Sequence, residues 1–156
     1  MIFFECILQI TRFVMYIQHN MNYTFESCLG SRVRSLSRKL DGIYRKHLGN
    51  ADITENQLSI MMALYKTGSI EQNQIAQLLT LERSSLSRNL VRLVNSGYVS
   101  KTGPANRPKI NLTKKGKARV EQLSPVWEMA MDEIHAVLSW YDLKSFQQFE
   151  SKINNL

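Results

Sequence analysis

The chain has 156 residues, 44% of them apolar, so it can bury a core and is not a disordered polymer. Twenty basic and thirteen acidic residues leave a net charge of +7, which points to an anionic partner. Cys6 and Cys28 make no disulfide framework, and with the isolated His19, His47 and His135 they make no metal-spaced cluster; no metal and no cofactor are expected, and a reducing cytoplasm fits.

Residues 1–23 form an apolar extension, with Ile2, Phe3, Phe4, Ile7, Leu8, Ile10, Phe13, Val14, Met15 and Ile17. No basic segment precedes the apolar part and no small-residue cleavage site follows it, so it does not read as a signal peptide. Glu5, Gln9, Thr11 and Arg12 interrupt a run already shorter than the roughly 20 residues of a membrane span, and no membrane partner is expected. It is either an extra helix buried in a dimer interface or the product of an upstream start codon, with Met15 and Met21 as alternative starts.

Residues 24–48 carry Phe25, Leu29, Val33, Leu36, Leu40, Ile43, Tyr44 and Leu48 at helical spacing, with arginines and lysines on the other face. Gly49 and Asn50 supply its left-handed C-terminal cap. Thr54 and Gln57 make a capping box before a helix holding Leu58, Ile60, Met61, Leu64 and Tyr65, which stops at Thr67 and Gly68. Ser69 and Gln72 match a second capping box, opening a short helix with Ile75, Ala76, Leu78 and Leu79. Residues 80–82 separate it from a third helix, 83–95, ended by Gly97. Two short helices joined by so short a turn make a helix-turn-helix.

After Gly97 the apolar period changes to two. Residues 98–101 and 109–112 are candidate strands flanking a turn-rich segment with Gly103, Pro104, Asn106 and Pro108, which makes a hairpin, or wing. Thr113 caps a long helix running to about Leu138, kinked or broken at Pro125. Asp142 caps a last helix with Leu143, Phe146, Phe149 and Ile153. The expected fold class is mostly α with a small β-hairpin wing: a winged helix-turn-helix lobe at 54–113, and helical dimerisation regions at 24–53 and 114–156. Trp127, Met131, Ile134, Leu138, Trp140, Tyr141, Phe146 and Phe149 exceed what one small lobe can bury, and a symmetric homodimer follows.

Charge locates the functional surface. Ten of the basic residues fall within 83–120 (Arg83, Arg88, Arg92, Lys101, Arg107, Lys109, Lys114, Lys115, Lys117 and Arg119), a stretch without Asp or Glu; the remainder of the chain is net −3. Surfaces ordinarily mix both signs, so this is an electrostatic footprint for phosphate. On helix 83–95, Leu86, Leu90, Leu93 and Val94 face the core. Ser84, Arg88 and Asn95 lie opposite, flanked by Ser85, Ser87 and Arg92. Hydroxyls allow close approach of the backbone to a major groove, and arginine can bind guanine bidentately. On the wing, Arg107 is placed for a minor groove, with Lys101 and Lys109 beside it for phosphates. With Arg83, these are the candidate DNA-binding residues. No Gly-rich phosphate loop, nucleophile elbow or metal-ligand pair is present, and no enzymatic activity is expected.

The segments 53–57, 74–79, 81–88, 93–99 and 112–116 together resemble the MarR (multiple-antibiotic-resistance regulator) family, and the helix order of 24–156 is similar throughout. The resemblance implies a bacterial dimeric winged-helix transcriptional regulator. It is expected to be a repressor of a palindromic duplex operator, released by a small aromatic effector bound between dimerisation helices and DNA-binding lobe. By position, 83–95 is the recognition helix and 98–112 the wing. The wing departs from the family pattern: Arg107 lacks the Asp of the common Asp-x-Arg tip and sits closer to Leu112. A branch of the family senses peroxide through a cysteine near the place of Cys28. A sensing thiol needs polar or positive neighbours, whereas a cysteine is also an ordinary small hydrophobe. A winged helix serving as a nucleic-acid or protein-binding module without effector control is the remaining alternative.

Overall fold

The computed structural model describes residues 27–155. The apolar extension at 1–23, Cys6, His19 and Phe25 lie outside the described residues. The elements are α1 (Leu29–Leu48), α2 (Glu55–Thr67), β1 (Ile70–Glu71), α3 (Gln72–Leu78), α4 (Arg83–Asn95), β2 (Val99–Thr102), β3 (Lys109–Leu112), α5 (Lys114–His135) and α6 (Trp140–Asn154). The chain divides into two units, one ending at Lys39 and one starting at Leu40.

In the first unit, Cys28 stands just before α1, not within it. Its carbonyl accepts from the Arg32 amide at 3.1 Å, so Cys28 opens the first helical turn. Leu29, Val33 and Leu36 are 45–59% exposed. Gly49 ends α1 as expected, at φ +53, where a side chain would be strained.

The second unit holds the core: Leu48, Ile53, Leu58, Ile60, Met61, Leu64, Ile75, Leu86, Leu90, Leu93, Val99, Ile110, Val120 and Leu123 form one buried cluster. The capping box of α2 is complete. The Gln57 amide donates to Thr54 Oγ1 at 3.3 Å, and Gln57 Oε1 accepts from the Thr54 amide at 3.0 Å. The second box expected at Ser69 does not form. Ile70 and Glu71 are drawn into a strand against Ile110 and Lys109, so the helix starts two residues later. Gln74 then reaches back to the Glu71 amide at 2.9 Å.

The helix-turn-helix turn is a Schellman closure around Thr80. The Leu81 amide donates to the Ala76 carbonyl at 2.9 Å and the Thr80 amide to Gln77 at 3.2 Å, with Thr80 at φ +50. A β-branched residue in that region is strained by about 1 kcal/mol or more. Thr80→Asn, which tolerates the left-handed conformation, should stabilise the fold by about 0.5–1 kcal/mol. Urea denaturation measures this; a loss of stability would mean that the threonine side chain is held by something the strain argument omits. A second Schellman closure ends α4, where Tyr98 and Gly97 amides donate to Leu93 and Val94 carbonyls at 3.0 and 2.9 Å, with Gly97 at φ +73.

The sheet order is β1-β3-β2, all antiparallel, with Val99 opposite Leu112 and Thr102 opposite Lys109. The wing is therefore the expected hairpin, starting one residue late. The Gln72 amide adds a bond to the Pro108 carbonyl at 3.1 Å. With the β1–β3 pairing it fastens the wing to the start of α3.

Thr113 caps α5 as expected, its hydroxyl accepting from the Gly116 amide at 3.0 Å. Pro125 does not break the helix, which runs unbroken from Lys114 to His135. Proline has no amide to offer the Glu121 carbonyl, but Val126, Trp127 and Leu123 keep this turn against the core. Tyr44 of α1 stacks on Trp127 with ring centroids 4.4 Å apart, and Glu133 holds Lys46 at 2.9 Å and His47 at 2.7 Å. Hydrogen bonds, from Lys46 first and then His47, pull the Glu133 carboxyl below its usual range. The last helix is capped by Ser139; Asp142 is the third residue of its capping box, accepting from the Ser139 amide at 2.8 Å. No described residue of α6 is buried, and Trp140, Tyr141, Phe146 and Ile153 are 46–75% exposed.

Candidate nucleic-acid interface

Helix α4 presents its polar side outward because Leu86, Leu90 and Leu93 anchor the other side in the core. Arg83, Ser84, Arg88 and Arg92 are exposed, and Ser85 and Ser87 half-buried. Val94, placed by periodicity on the packed side, is instead 37% exposed, since it lies at the edge of that face. The serines are partly engaged within the helix. Ser84 donates to the Glu82 carboxylate at 3.2 Å, Arg88 Nη2 donates to Ser85 Oγ at 3.4 Å, and the Asn89 amide group donates to the Ser85 carbonyl at 3.1 Å. Glu82, the residue before α4, suits the positive end of the helix dipole, but it sets a carboxylate beside Ser84 that spacing alone did not bring there.

The wing extends the same charge. Lys101, Arg107 and Lys109 are exposed, with Arg107 in a loop turned by a bond from its amide to the Pro104 carbonyl at 3.0 Å. Lys101 donates to Gln72 Oε1 at 3.4 Å, so it leans toward the start of α3. Lys109 stands opposite Glu71 in the ladder, which tempers its charge. Lys115 is committed to the fold: it donates to the Ser96 carbonyl at 2.9 Å and lies over the Tyr98 ring, 4.9 Å from its centroid. The salt bridges among the described residues involve Arg45, Lys46 and His47. Among the described residues, none of the ten cations between 83 and 120 forms a salt bridge with an acid.

A second feature is an open groove of about 640 Å³ against α2 and α5, walled by Met62, Leu79, Val120 and Trp127, with Ser59, Ser124 and Lys66 as polar groups. Tyr65 at its rim donates to Glu121 at 2.9 Å, which raises the phenol's pKa above its ordinary value, by hydrogen bond first and charge second. Periodicity had no means of finding this groove, because its walls come from helices far apart in sequence. Cys28 is exposed in the single chain, so packing does not account for it. A hydrogen bond from Ser31 foremost, then backbone amides and Arg34, lower its thiol pKa. Among the described residues no group of side chains is arranged to hold a metal, and no helix is long and apolar enough to cross a membrane.

The MarR family pattern matches residues 53–106, which span the helix-turn-helix and the first half of the wing. The HTH-type transcriptional regulator FarR of Neisseria gonorrhoeae is 30% identical over 98 residues, covering 61% of this chain and 67% of FarR. The chain belongs to the MarR family. It is a transcriptional regulator with a DNA-binding fold, in a family of non-enzymatic DNA-binding proteins. Solved MarR-family structures share the architecture. BpsR of Bordetella bronchiseptica, whose DNA binding is regulated by 6-hydroxynicotinic acid, superposes with a TM-score of 0.77 at 16% identity, covering 86% of this chain and 98% of BpsR. A mutant MarR of E. coli complexed with operator DNA superposes with a TM-score of 0.70 at 23% identity, covering 80% of this chain and 92% of that one.

Proposed function

We propose that this MarR-family regulator is a cytoplasmic homodimeric repressor that binds a palindromic duplex operator through α4 and the wing and is released by a small aromatic effector. The observation that carries the DNA reading is the acid-free stretch 83–120, whose ten cations form no salt bridge among the described residues. Opposing charge on this face is supplied by phosphates. Arg83, Ser84, Ser85, Ser87, Arg88 and Arg92 form the major-groove element, and Lys101, Arg107 and Lys109 the wing contacts, within a DNA-binding lobe at 54–113. The operator-bound E. coli MarR and a MepR–DNA complex from S. aureus support this use of the fold. Selection of bound duplexes from a random library tests it. A palindromic motif with strongly salt-dependent affinity is the expected result, and preference for single strands would overturn it.

The dimer reading rests on the exposed apolar faces of α1 and α6, the helices of the proposed dimerisation regions 24–53 and 114–156. A helix with no buried residue, such as α6, gains little from its own chain. Sedimentation at micromolar concentration should give a dimer; a monomer would refute the assembly. The groove against α2 and α5 is of a size and lining suited to a small aromatic molecule. An effector filling it would favour one spacing of α5, which continues directly into the wing, and shift the population away from the DNA-binding arrangement.

A second reading is favoured by Cys28 alone: exposed, at a helix start, with a thiolate stabilised by Ser31. If oxidation controls binding, low peroxide should release the operator and Cys28→Ser should abolish that release. Operator affinity indifferent to peroxide in the unmodified protein would leave effector control as the sole mechanism.

A further inference from the structure

Val91 is 51% exposed in the middle of α4. At about 3.6 residues per turn, Ser84, Arg88, Val91 and Asn95 form one stripe, opposite the buried Leu86, Leu90 and Leu93. Packing does not explain the valine, which belongs neither to the core cluster nor to the apolar residues packed against it. Helix formation does not explain it either, because a β-branched side chain is a poorer helix former than alanine or the charged residues around it. An apolar group in water at the centre of a polar, acid-free stripe is accounted for by the surface that the stripe meets. That surface is anionic by charge complementarity, since Arg88 and Arg92 flank Val91 and neither forms a salt bridge among the described residues.

In a major groove the four base pairs present hydrogen-bonding groups and one apolar group, the C5-methyl of thymine. Valine has no donor or acceptor for the former. We infer that Val91 is a base-reading residue that packs its isopropyl group on a thymine methyl, one helical turn from the base edge met by Arg88. The inference rests on the proposed entry of α4 into duplex DNA and names a specificity determinant within it. Val91 thereby favours thymine over cytosine, which has the same ring position without the methyl, while Arg88 recognises acceptors on guanine.

The test uses the full chain and the duplex it selects from a random library. Each thymine is replaced in turn by deoxyuridine, which removes the methyl and keeps every hydrogen-bonding group. The unmodified protein should lose about fourfold in affinity at one thymine of each half-site, the worth of one buried methyl. Val91→Ala should lose a similar factor on the thymine duplex and become indifferent to deoxyuridine at that position. Val91→Thr, which keeps one methyl, should retain part of the sensitivity. Val91→Thr should match the unmodified chain in helicity and thermal stability and Val91→Ala should equal or slightly exceed it, since the site is exposed and alanine is the better helix former, so a loss of affinity is not confused with unfolding. A chain that ignores every thymine methyl, or a Val91→Ala variant with undiminished sensitivity, would overturn the assignment while leaving sequence-selective binding intact. A chain that selects no duplex at all would remove both this assignment and the function on which it rests.

Discussion

Replacing Gly116 by alanine should destabilise the fold by about 3 kcal/mol, the upper part of the usual range for overpacking. A Cβ built at Gly116 would overlap the Tyr98 carbonyl oxygen and lie 2.9 Å from its carbon and 3.0 Å from Leu112 Cδ2. Two of these atoms are backbone, so no side-chain rotation relieves the contact. The same carbonyl accepts from the Thr113 amide at 3.0 Å and the Thr113 hydroxyl at 3.2 Å. Moving α5 away to make room would therefore loosen its own N-cap from the base of the wing. Gly42 provides the control. It sits inside α1 and an added Cβ there meets nothing within 4 Å, so Gly42→Ala should stabilise by about 1 kcal/mol through helix propensity. Opposite signs for one chemical change, read by thermal or urea unfolding, are the expected outcome. Equal and small effects would show that the α5–wing contact is looser than the geometry requires. Operator affinity of Gly116→Ala, measured where it remains folded, should also fall, since the wing and α5 move as one piece.

Arg88→Ala and Arg92→Ala should separate base reading from phosphate binding. Arg88 lies opposite the buried leucines and toward the start of α4, the end that meets base edges in helix-turn-helix proteins. Its loss should cost about 1–3 kcal/mol per site and relax base preference at one position of each half-site. Arg92 lies a turn later and to the side, which in the proposed docking of α4 faces the phosphates of the groove wall. Its loss should weaken binding to operator and scrambled duplex alike, and flatten the salt dependence by about one unit per lost contact, counted twice in a dimer. The measurement is affinity against salt for both duplexes and both variants. Undiminished discrimination in Arg88→Ala would move base reading to the serines, Val91 or DNA shape.

Much of this was legible in the chain because the signals are local. The capping box at Thr54 and Gln57, the left-handed cap at Gly49, the end of α4 before Gly97, the span of α4 and the hairpin were all readable. Each depends on hydrogen bonds or side-chain spacing within a few residues. The acid-free stretch is likewise a property of composition, and it named the candidate interface without any geometry. What escaped depends on partners distant in sequence. Ser69 and Gln72 satisfy the capping pattern, yet Ile70 and Glu71 pair with Ile110 and Lys109, and two ladder residues are too few to show a period. Pro125 carries a helix-breaking signal, yet the core contacts of the turns around it keep α5 whole. Leu78 and Val91 read as apolar in sequence, but only the packed lobe leaves them 55% and 51% exposed. The same holds for Gly116. A glycine in the third position of a helix is merely a weak helix former until the Tyr98 carbonyl, brought back by the wing, occupies the place of its missing side chain. Local chemistry thus determined the elements and their charge; tertiary packing decided which surfaces those elements leave open.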